Sequence, residues 1–407
     1  MTSAVGPPRG EPPAAPDRGA ALQPLVAGIV VAVVGFAGAF AVVLAGLRAV
    51  GATEGQAASG LLALTVGMGL CSIGLSVRTR MPIAIAWSTP GAALLISTGA
   101  PAGGFEAAVG AFLVTGALLV VAGLVAPLGR AIAAIPTPIA SAMLAGVLLT
   151  VCLGPARAAV ESPLATAPVV LVWAGLTRFA PRWAVPGALA TAGVVIAIDG
   201  GLAAIGADAL VPPVELVGPT FEAGALIGIA IPLFLVTMAS QNVPGMAVLA
   251  SFDYRPPLQP ILATTGAATM LTAPFGAHAV NLAAITAALA AGPEAGPDRE
   301  RRWLAAASSG VVHVVLGLGA GVATALALAA PALLVEAVAG LALLGALAGA
   351  LTAAVASGEH RDAAVVTFAV SASGIVALGI SAPFWGLVAG LALLGLRRVG
   401  HARTKGP

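Results

Sequence analysis

The chain reads as an all-α polytopic membrane protein of fourteen transmembrane segments, arranged as a seven-plus-seven inverted repeat, and three observations predict this. Apolar residues make up 59% of the 407 and charged residues only 8%, with a mean hydropathy of +1.05, far from the roughly 25% charge of a soluble domain. The basic residues gather in alternate loops. Two apolar runs, at residues 81–91 and 273–281, are interrupted by Pro and Gly at matching places in the two halves.

The elements follow in order. Residues 1–22 hold Pro7, Pro8, Pro12, Pro13 and Pro16 among Ala, Gly and a few charges; they bury too little to order and read as a disordered cytoplasmic tail. No basic stretch with a cleavage site precedes the apolar run at Leu25, so that run is a retained span. The predicted spans are 23–48, 55–77, 81–99, 104–125, 129–153, 164–178, 183–205, 221–241, 258–272, 274–291, 303–326, 330–356, 362–379 and 382–398, with a second tail at 399–407. Several fall short of the ~20 residues of a full crossing. With both termini inside, only Arg48 and Arg157 of the 18 basic residues lie outside, and one span miscounted early would invert every later loop.

Pro82 and Pro274, Pro136 and Pro331, and Gly146 and Gly340 are separated by 192, 195 and 194 positions. Seven spans per half is an odd number, so related halves must be inverted, as in many secondary transporters.

In the third span Pro90 forbids a regular helix through residues 86–90 but suits a first helical position. Ser88 and Thr89 stand before it as natural N-caps. The expectation is an extended stretch from Pro82 to Ser88 and then a helix from Pro90 to Gly99, ~15 Å or half a bilayer. The tenth span repeats this, with Asn281 expected to cap a helix over residues 282–291. Two half-helices of opposite direction then aim their N-termini at one central spot, which favours an anion without Arg or Lys. Broken helices at membrane depth are tolerated where they line a cavity, so the pair points to a transporter's substrate site; two Pro-kinked structural helices are the other reading.

The eighth span brings Gln241 and Asn242, which either face the bundle interior as ligand contacts or end the helix ahead of Pro244. His278 is either a proton carrier or substrate contact, or a structural histidine. His313 suits a helix–helix hydrogen bond. Glu336 is either a protonated gate residue or an outer-surface group. Trp87 either packs on a substrate ring or on a neighbouring span. The ionisable groups lack metal-ligand spacing, so no metal or other cofactor is expected; dispersed basic residues give no nucleic-acid patch. Cys71 and Cys152 lie in apolar runs, where no disulfide is expected.

The stretches Ala57-Ala-Ser-Gly-Leu-Leu-Ala-Leu64, Arg80-Met-Pro-Ile-Ala-Ile-Ala-Trp-Ser-Thr-Pro-Gly-Ala-Ala93, Pro232-Leu-Phe-Leu-Val-Thr-Met-Ala-Ser-Gln-Asn242, Gly276-Ala-His-Ala-Val-Asn-Leu-Ala-Ala-Ile-Thr286 and Glu336-Ala-Val-Ala-Gly-Leu-Ala-Leu-Leu-Gly345 resemble the bacterial benzoate:proton symporter family. The resemblance runs from Leu25 to Leu396. It implies a fold similar to uracil permease and the sulfate-type carriers, with short strands before the half-helices of spans 3 and 10. It also implies a core domain (23–125 and 221–328) moving against a gate domain (126–205 and 329–398). Gln241 matches a polar position that contacts substrate in nucleobase carriers; residues 274–291 lack the Asp or Glu those carriers use, which suits an anion.

The combined expectation is a non-enzymatic, multi-pass inner-membrane carrier importing benzoate or a close aromatic carboxylate with a proton. Its expected substrate contacts are Trp87, Ser88, Thr89, Gly91, Gln241, Asn242, His278 and Asn281, with His278 and Glu336 as proton-coupling candidates. Another small organic anion, a nucleobase or an uncoupled anion channel are the alternatives, and a homodimer is left open.

Overall fold

Residues 18–125, 136–200, 211–378 and 380–404 are described by a computed structural model; the expected helical residues 129–135, 201–205 and 379, residues 1–17 of the first tail and 405–407 of the second lie outside them, and residues 399–404, expected as tail, continue the last helix. The first span is α1 (Arg18–Ala37) and α2 (Phe40–Ala49). It begins before the expected residue 23, at a point where its first turns can dock: Gln23 Nε2 donates to the Glu294 carbonyl at 3.3 Å. α3 (Glu54–Thr79) starts with a reciprocal capping box between Thr53 and Gln56 and stops at Arg80, whose φ is 54°.

The third span is broken as expected, with β1 (Ile85–Trp87) followed by α4 (Thr89–Thr98). Then come α5 (Gly104–Leu124), α6 (Thr137–Cys152), α7 (Gly154–Glu161), α8 (Pro163–Phe179) and α9 (Ala184–Ile198). The eighth span departs from expectation. It is one long helix, α10 (Ala223–Ser251), running ten residues past the expected end at 241. π-helical turns at Leu226–Ala230 and Met238–Asn242 each end two residues before a proline, Pro232 and Pro244. A widened turn absorbs the missing N–H and the ring, so Pro244 does not stop the helix.

α11 (Leu258–Thr272) leads to β2 (Val280–Leu282) and α12 (Ile285–Ala291). The helix of the tenth span therefore starts at Ile285, and Asn281 is a strand residue, not a cap. The reason is local: the Leu282 N–H is drawn to Asn242 Oδ1 at 3.0 Å, which holds the chain extended past Asn281. The eleventh span is bent by 57° between α13 (Trp303–Leu318) and α14 (Ala320–Ala329). After α15 (Ala332–Val355), α16 (Arg361–Ala372) ends before the expected 379, because Gly374 takes a φ of 68° and the chain turns into β3 (Val376–Ala377) and β4 (Ile380–Ser381). Trp385 Nε1, at the start of α17 (Ala382–Thr404), pins this hairpin through the carbonyls of Ala377 and Ile380, each at 3.2 Å.

Among the described residues, seven helices are long and apolar enough to cross a membrane, and the bent α13–α14 pair makes an eighth. The chain is a helical, multi-pass membrane protein. α3 packs on α13, α1 on α13, α5 on α11 and α2 on α4, while α15 packs on α6 and α7, α16 on α6 and α17, and α8 on α9. Small residues permit the closest approach: a Cβ on Gly69 would stand 2.6 Å from the Gly310 carbonyl oxygen, so α3 and α13 meet backbone to backbone.

Candidate functional site

The two broken spans meet. β1 and β2 pair antiparallel, with Ile85 opposite Leu282, Ala86 opposite Asn281 and Trp87 opposite Val280. A two-stranded sheet has two open edges, and inside a membrane protein those backbone groups need partners. Hydroxyls and an amide from flanking helices supply them. Ser72 Oγ accepts from the Ile85 N–H at 2.8 Å and Ser76 Oγ donates to the Ile83 carbonyl at 3.2 Å. On the other edge Thr269 Oγ1 accepts from the Val280 N–H at 3.0 Å, beside the Asn242–Leu282 bond. None of Ser72, Ser76 and Thr269 was singled out from sequence; the signal was polar residues on the helices flanking each break, two of them one turn apart on α3.

Ser88 joins spans 3, 8 and 10. Its N–H donates to the Ala279 carbonyl at 3.0 Å, and its carbonyl accepts from Ala92 N at 2.8 Å and from His278 Nε2 at 2.9 Å. Its hydroxyl oxygen accepts from the Gly91 N–H at 3.1 Å and from Thr237 Oγ1 at 2.9 Å. Ser88 is thus the N-cap of α4, as its sequence position predicted. The donors at this helix start can be accounted for one by one. Pro90 has none, those of Gly91 and Ala92 go to Ser88, and the Thr89 N–H is left open among the described residues, on a half-buried residue. Gly91 must stay small, since a Cβ there would run into Leu233 and Ser88 Oγ.

Trp87 is buried and packs its ring on Phe36, centroids 5.6 Å apart, with Phe36 stacked on Phe40 at 5.4 Å. Phe36 belongs to α1, so this contact is with a neighbouring span. Gln241 and Asn242 lie in the second π turn of α10, 7% and 0% exposed, which removes the reading in which they end a helix. Asn242 is fully engaged, through Leu282 N and, from Nδ2, Met238 Sδ at 3.5 Å. The Gln241 amide has no hydrogen-bond partner among the described residues, and it follows Thr237 by four positions, on the same helix face.

His278 is fully buried, its Nε2–H held by the Ser88 carbonyl and its ring edge-on to Phe112 at 6.4 Å, with no partner for Nδ1 among the described residues. Asn281 donates from Nδ2 to the Leu282 carbonyl at 2.9 Å, and its Oδ1 is buried without a partner among the described residues. It faces the same side of the sheet as half-buried Ala86. Glu336 stands apart from these groups, exposed on α15 where the start of α7 approaches its backbone. No group of three or more His, Cys, Asp or Glu able to hold a metal occurs among the described residues. One contributor had no sequence signal: Arg302 is buried and donates to the carbonyls of Ala291 and Gly296, each at 2.8 Å, closing the C-terminus of α12.

The arrangement offers donors without a formal positive charge: the Thr89 N–H at a helix start, the Ser88 hydroxyl proton and the Gln241 amide. Donors of that kind bind a carboxylate, and Asn281 Oδ1 adds one unfilled acceptor. The chain is similar to several known proteins. The chain is 39% identical over 368 residues to the inner membrane protein YdcO of Escherichia coli strain K12, covering 90% of this chain and 93% of that one. It is 30% identical over 370 residues to the benzoate membrane transport protein of Acinetobacter baylyi, covering 91% and 94%. The solved transmembrane domain of a cyanobacterial bicarbonate transporter, BicA, shares the fold, with a TM-score of 0.58 at 15% identity over 91% of this chain and 97% of that one. The model of the benzoate membrane transport protein family matches residues 19–396, so the chain belongs to that family of membrane transporters and is not an enzyme.

Proposed function

We propose that the protein is a secondary carrier that imports benzoate or a close aromatic carboxylate together with a proton, holding the substrate between the half-helices of spans 3 and 10. The observation that supports this is the β1–β2 pairing, which together with the Thr237–Ser88 hydrogen bond brings spans 3, 8 and 10 to one place. The carboxylate takes the Thr89 N–H, the Ser88 hydroxyl and the Gln241 amide. The unfilled Asn281 Oδ1 accepts from a donor, which is water or a carboxyl proton travelling with the substrate. Trp87 with Phe36, His278 with Ser88, and Asn242 with Leu282 form the rigid wall behind it, and Gly91 keeps that wall clear. A co-transported proton cancels the substrate's charge, which otherwise costs about 2.3 kcal/mol per 100 mV of inside-negative potential.

The remaining architecture of the proposal is fourteen crossings in an inverted seven-plus-seven repeat, both termini cytoplasmic, with residues 23–125 and 221–328 rocking against 126–205 and 329–398. α1–α5 pack mainly with α10–α14 and α6–α9 mainly with α15–α17, with α4 also meeting α6 across the boundary, which supports that division. Uptake by the purified chain in proteoliposomes tests the function. Benzoate entry above that of protein-free vesicles, driven by an inward proton gradient, is the expected result. Equal flux with and without the gradient would leave an uncoupled channel, and accumulation of a nucleobase in place of benzoate would reassign the substrate.

A further inference from the structure

The β3–β4 hairpin belongs to the α15–α17 group by sequence, yet β4 rests on the first π turn of α10, in the other group. Its Ser381 is buried, with the hydroxyl oxygen 3.3 Å from the Gly228 carbonyl and 3.3 Å from Thr98 Oγ1 at the end of α4. The Gly228 carbonyl needs this contact, because the residue four positions on, which supplies the N–H in a regular helix, is Pro232 and has none. Thr98 Oγ1 spends its own proton on the Leu94 carbonyl at 2.8 Å. The single Ser381 proton therefore serves two acceptors, both farther away than the about 2.5–3.0 Å of a full O–H···O bond.

α4 and α10 pack side by side, and the Ser88–Thr237 bond of the candidate site joins them one and a half to two coils of helix away from the hairpin. Thr98 follows Ser88 by ten residues and Gly228 precedes Thr237 by nine, so the hairpin lies across this helix pair roughly 15 Å from the site. Where it meets them is a cavity of about 390 Å³, lined by Thr98, Gly99 and Glu222 on one side and by Val376, Leu378 and Ser381 on the other. Each side is tied to its own group. Glu222 Oε2 accepts from the Gly103 N–H at 3.0 Å, and Trp385 of α17 holds the Ala377 and Ile380 carbonyls of the hairpin.

We infer that the β3–β4 hairpin is the outer gate of the carrier, with Ser381 as its latch, and that the conformation described here is closed to the outside; this rests on the two moving groups and the cytoplasmic termini proposed above. With the termini inside, α4 runs outward from Ser88 and α10 runs inward from Glu222, which sets Thr98, Gly228 and the hairpin on the outer side. When the α15–α17 group turns away, the Ser381 hydroxyl and the Gly228 carbonyl each take water, and the cavity opens onto the helix pair that leads to Ser88 and Gln241. A shared, long hydrogen bond suits this duty. It exchanges for water at little cost, whereas a firm bond would hold the carrier shut.

Two measurements on the full-length chain, with Cys71 and Cys152 replaced by Ala, test the gate. In the first, Ala225, buried in the cavity wall on α10, is replaced by Cys and labelled in intact cells with a membrane-impermeant maleimide. S381A is expected to speed labelling of A225C by about two- to tenfold, the factor that one ordinary hydrogen bond contributes. An unchanged rate, or labelling only after permeabilisation, overturns the gate whatever the protein carries. In the second, T98C and S381C are combined and oxidised in proteoliposomes; hydroxyls 3.3 Å apart place the two sulfurs within reach of a disulfide. Benzoate uptake and benzoate exchange should both stop on oxidation and return with reductant, and undiminished transport by fully cross-linked protein overturns the proposal. Reduced protein that carries no benzoate overturns the substrate reading alone, and the labelling rate then decides the gate. If S381A melts well below wild type, the cross-link decides it.

Discussion

The two broken spans are alike in plan and opposite in finish. In the first, α4 is ten residues long, starts at a capped Ser88 and has every early donor but that of Thr89 accounted for. In the second, α12 is seven residues long, starts without a side-chain cap, and is preceded by two buried side-chain atoms without partners, His278 Nδ1 and Asn281 Oδ1. Unpaired polar atoms in so dry a place cost about 1–3 kcal/mol each, so a protein keeps them where a ligand or a moving part uses them. On the reading proposed above, the capped first segment is the fixed one, offering the carboxylate its Thr89 N–H and Ser88 hydroxyl, and the second is the reactive one, keeping Asn281 Oδ1 unfilled. What the second lacks at its start it gains at its end, where Arg302 holds the last carbonyl of α12.

The strongest way to break this contrast is to remove that hold. Arg302→Met loses two hydrogen bonds from a charged donor, worth about 1.5–3 kcal/mol each, and the variant should melt far below wild type in detergent. A melting temperature close to wild type would mean that α12 is not anchored at its end. Next in size is Ser88→Ala. It removes the cap of α4 and strands the Thr237 hydroxyl, for a combined cost of about 2–4 kcal/mol, and should lower stability and transport together. Gln241→Ala is expected to separate the two: the amide has no protein partner to lose, so melting stays put. Affinity for benzoate, measured by titration calorimetry, should fall by about 1.5–3 kcal/mol. Unchanged affinity would move the carboxylate elsewhere.

How legible this was in the sequence differed between the same two segments. Pro90 after Ser88-Thr89 fixes both the break and the cap, because proline at a first helical position leaves few alternatives, and the structure agrees to within a residue. Asn281 carried an equally plausible cap signal and was a strand residue. What overrode it was Asn242, 39 positions earlier, binding the Leu282 N–H. That is a tertiary partner which local pattern cannot reveal. Pro244 misled in the same way, since a π turn does not announce itself in composition. The edge-sealing Ser72, Ser76 and Thr269 left only a faint mark, polar residues on the helices flanking each break, and the anchoring Arg302 left none, because their partners are backbone groups that local pattern does not reveal.

The smallest expected effect discriminates best. Asn242 and Asn281 are both fully buried asparagines, and their fates under alanine substitution should differ. Asn242→Ala orphans the Leu282 N–H and opens an edge of the sheet, so it should cost about 1–3 kcal/mol of stability. Asn281→Ala loses one bond to the Leu282 carbonyl, worth about 0.5–1.5 kcal/mol, but also deletes an oxygen that had no partner, so the two terms offset and stability should move by less than about 1 kcal/mol. Benzoate binding should nevertheless weaken in the Asn281 variant, more at low pH than at high, because the lost acceptor serves the protonated carboxyl and not the carboxylate. Equal losses of stability in the two variants would show that Asn281 is part of the wall after all, and the distinction between a fixed and a reactive segment would fall with it.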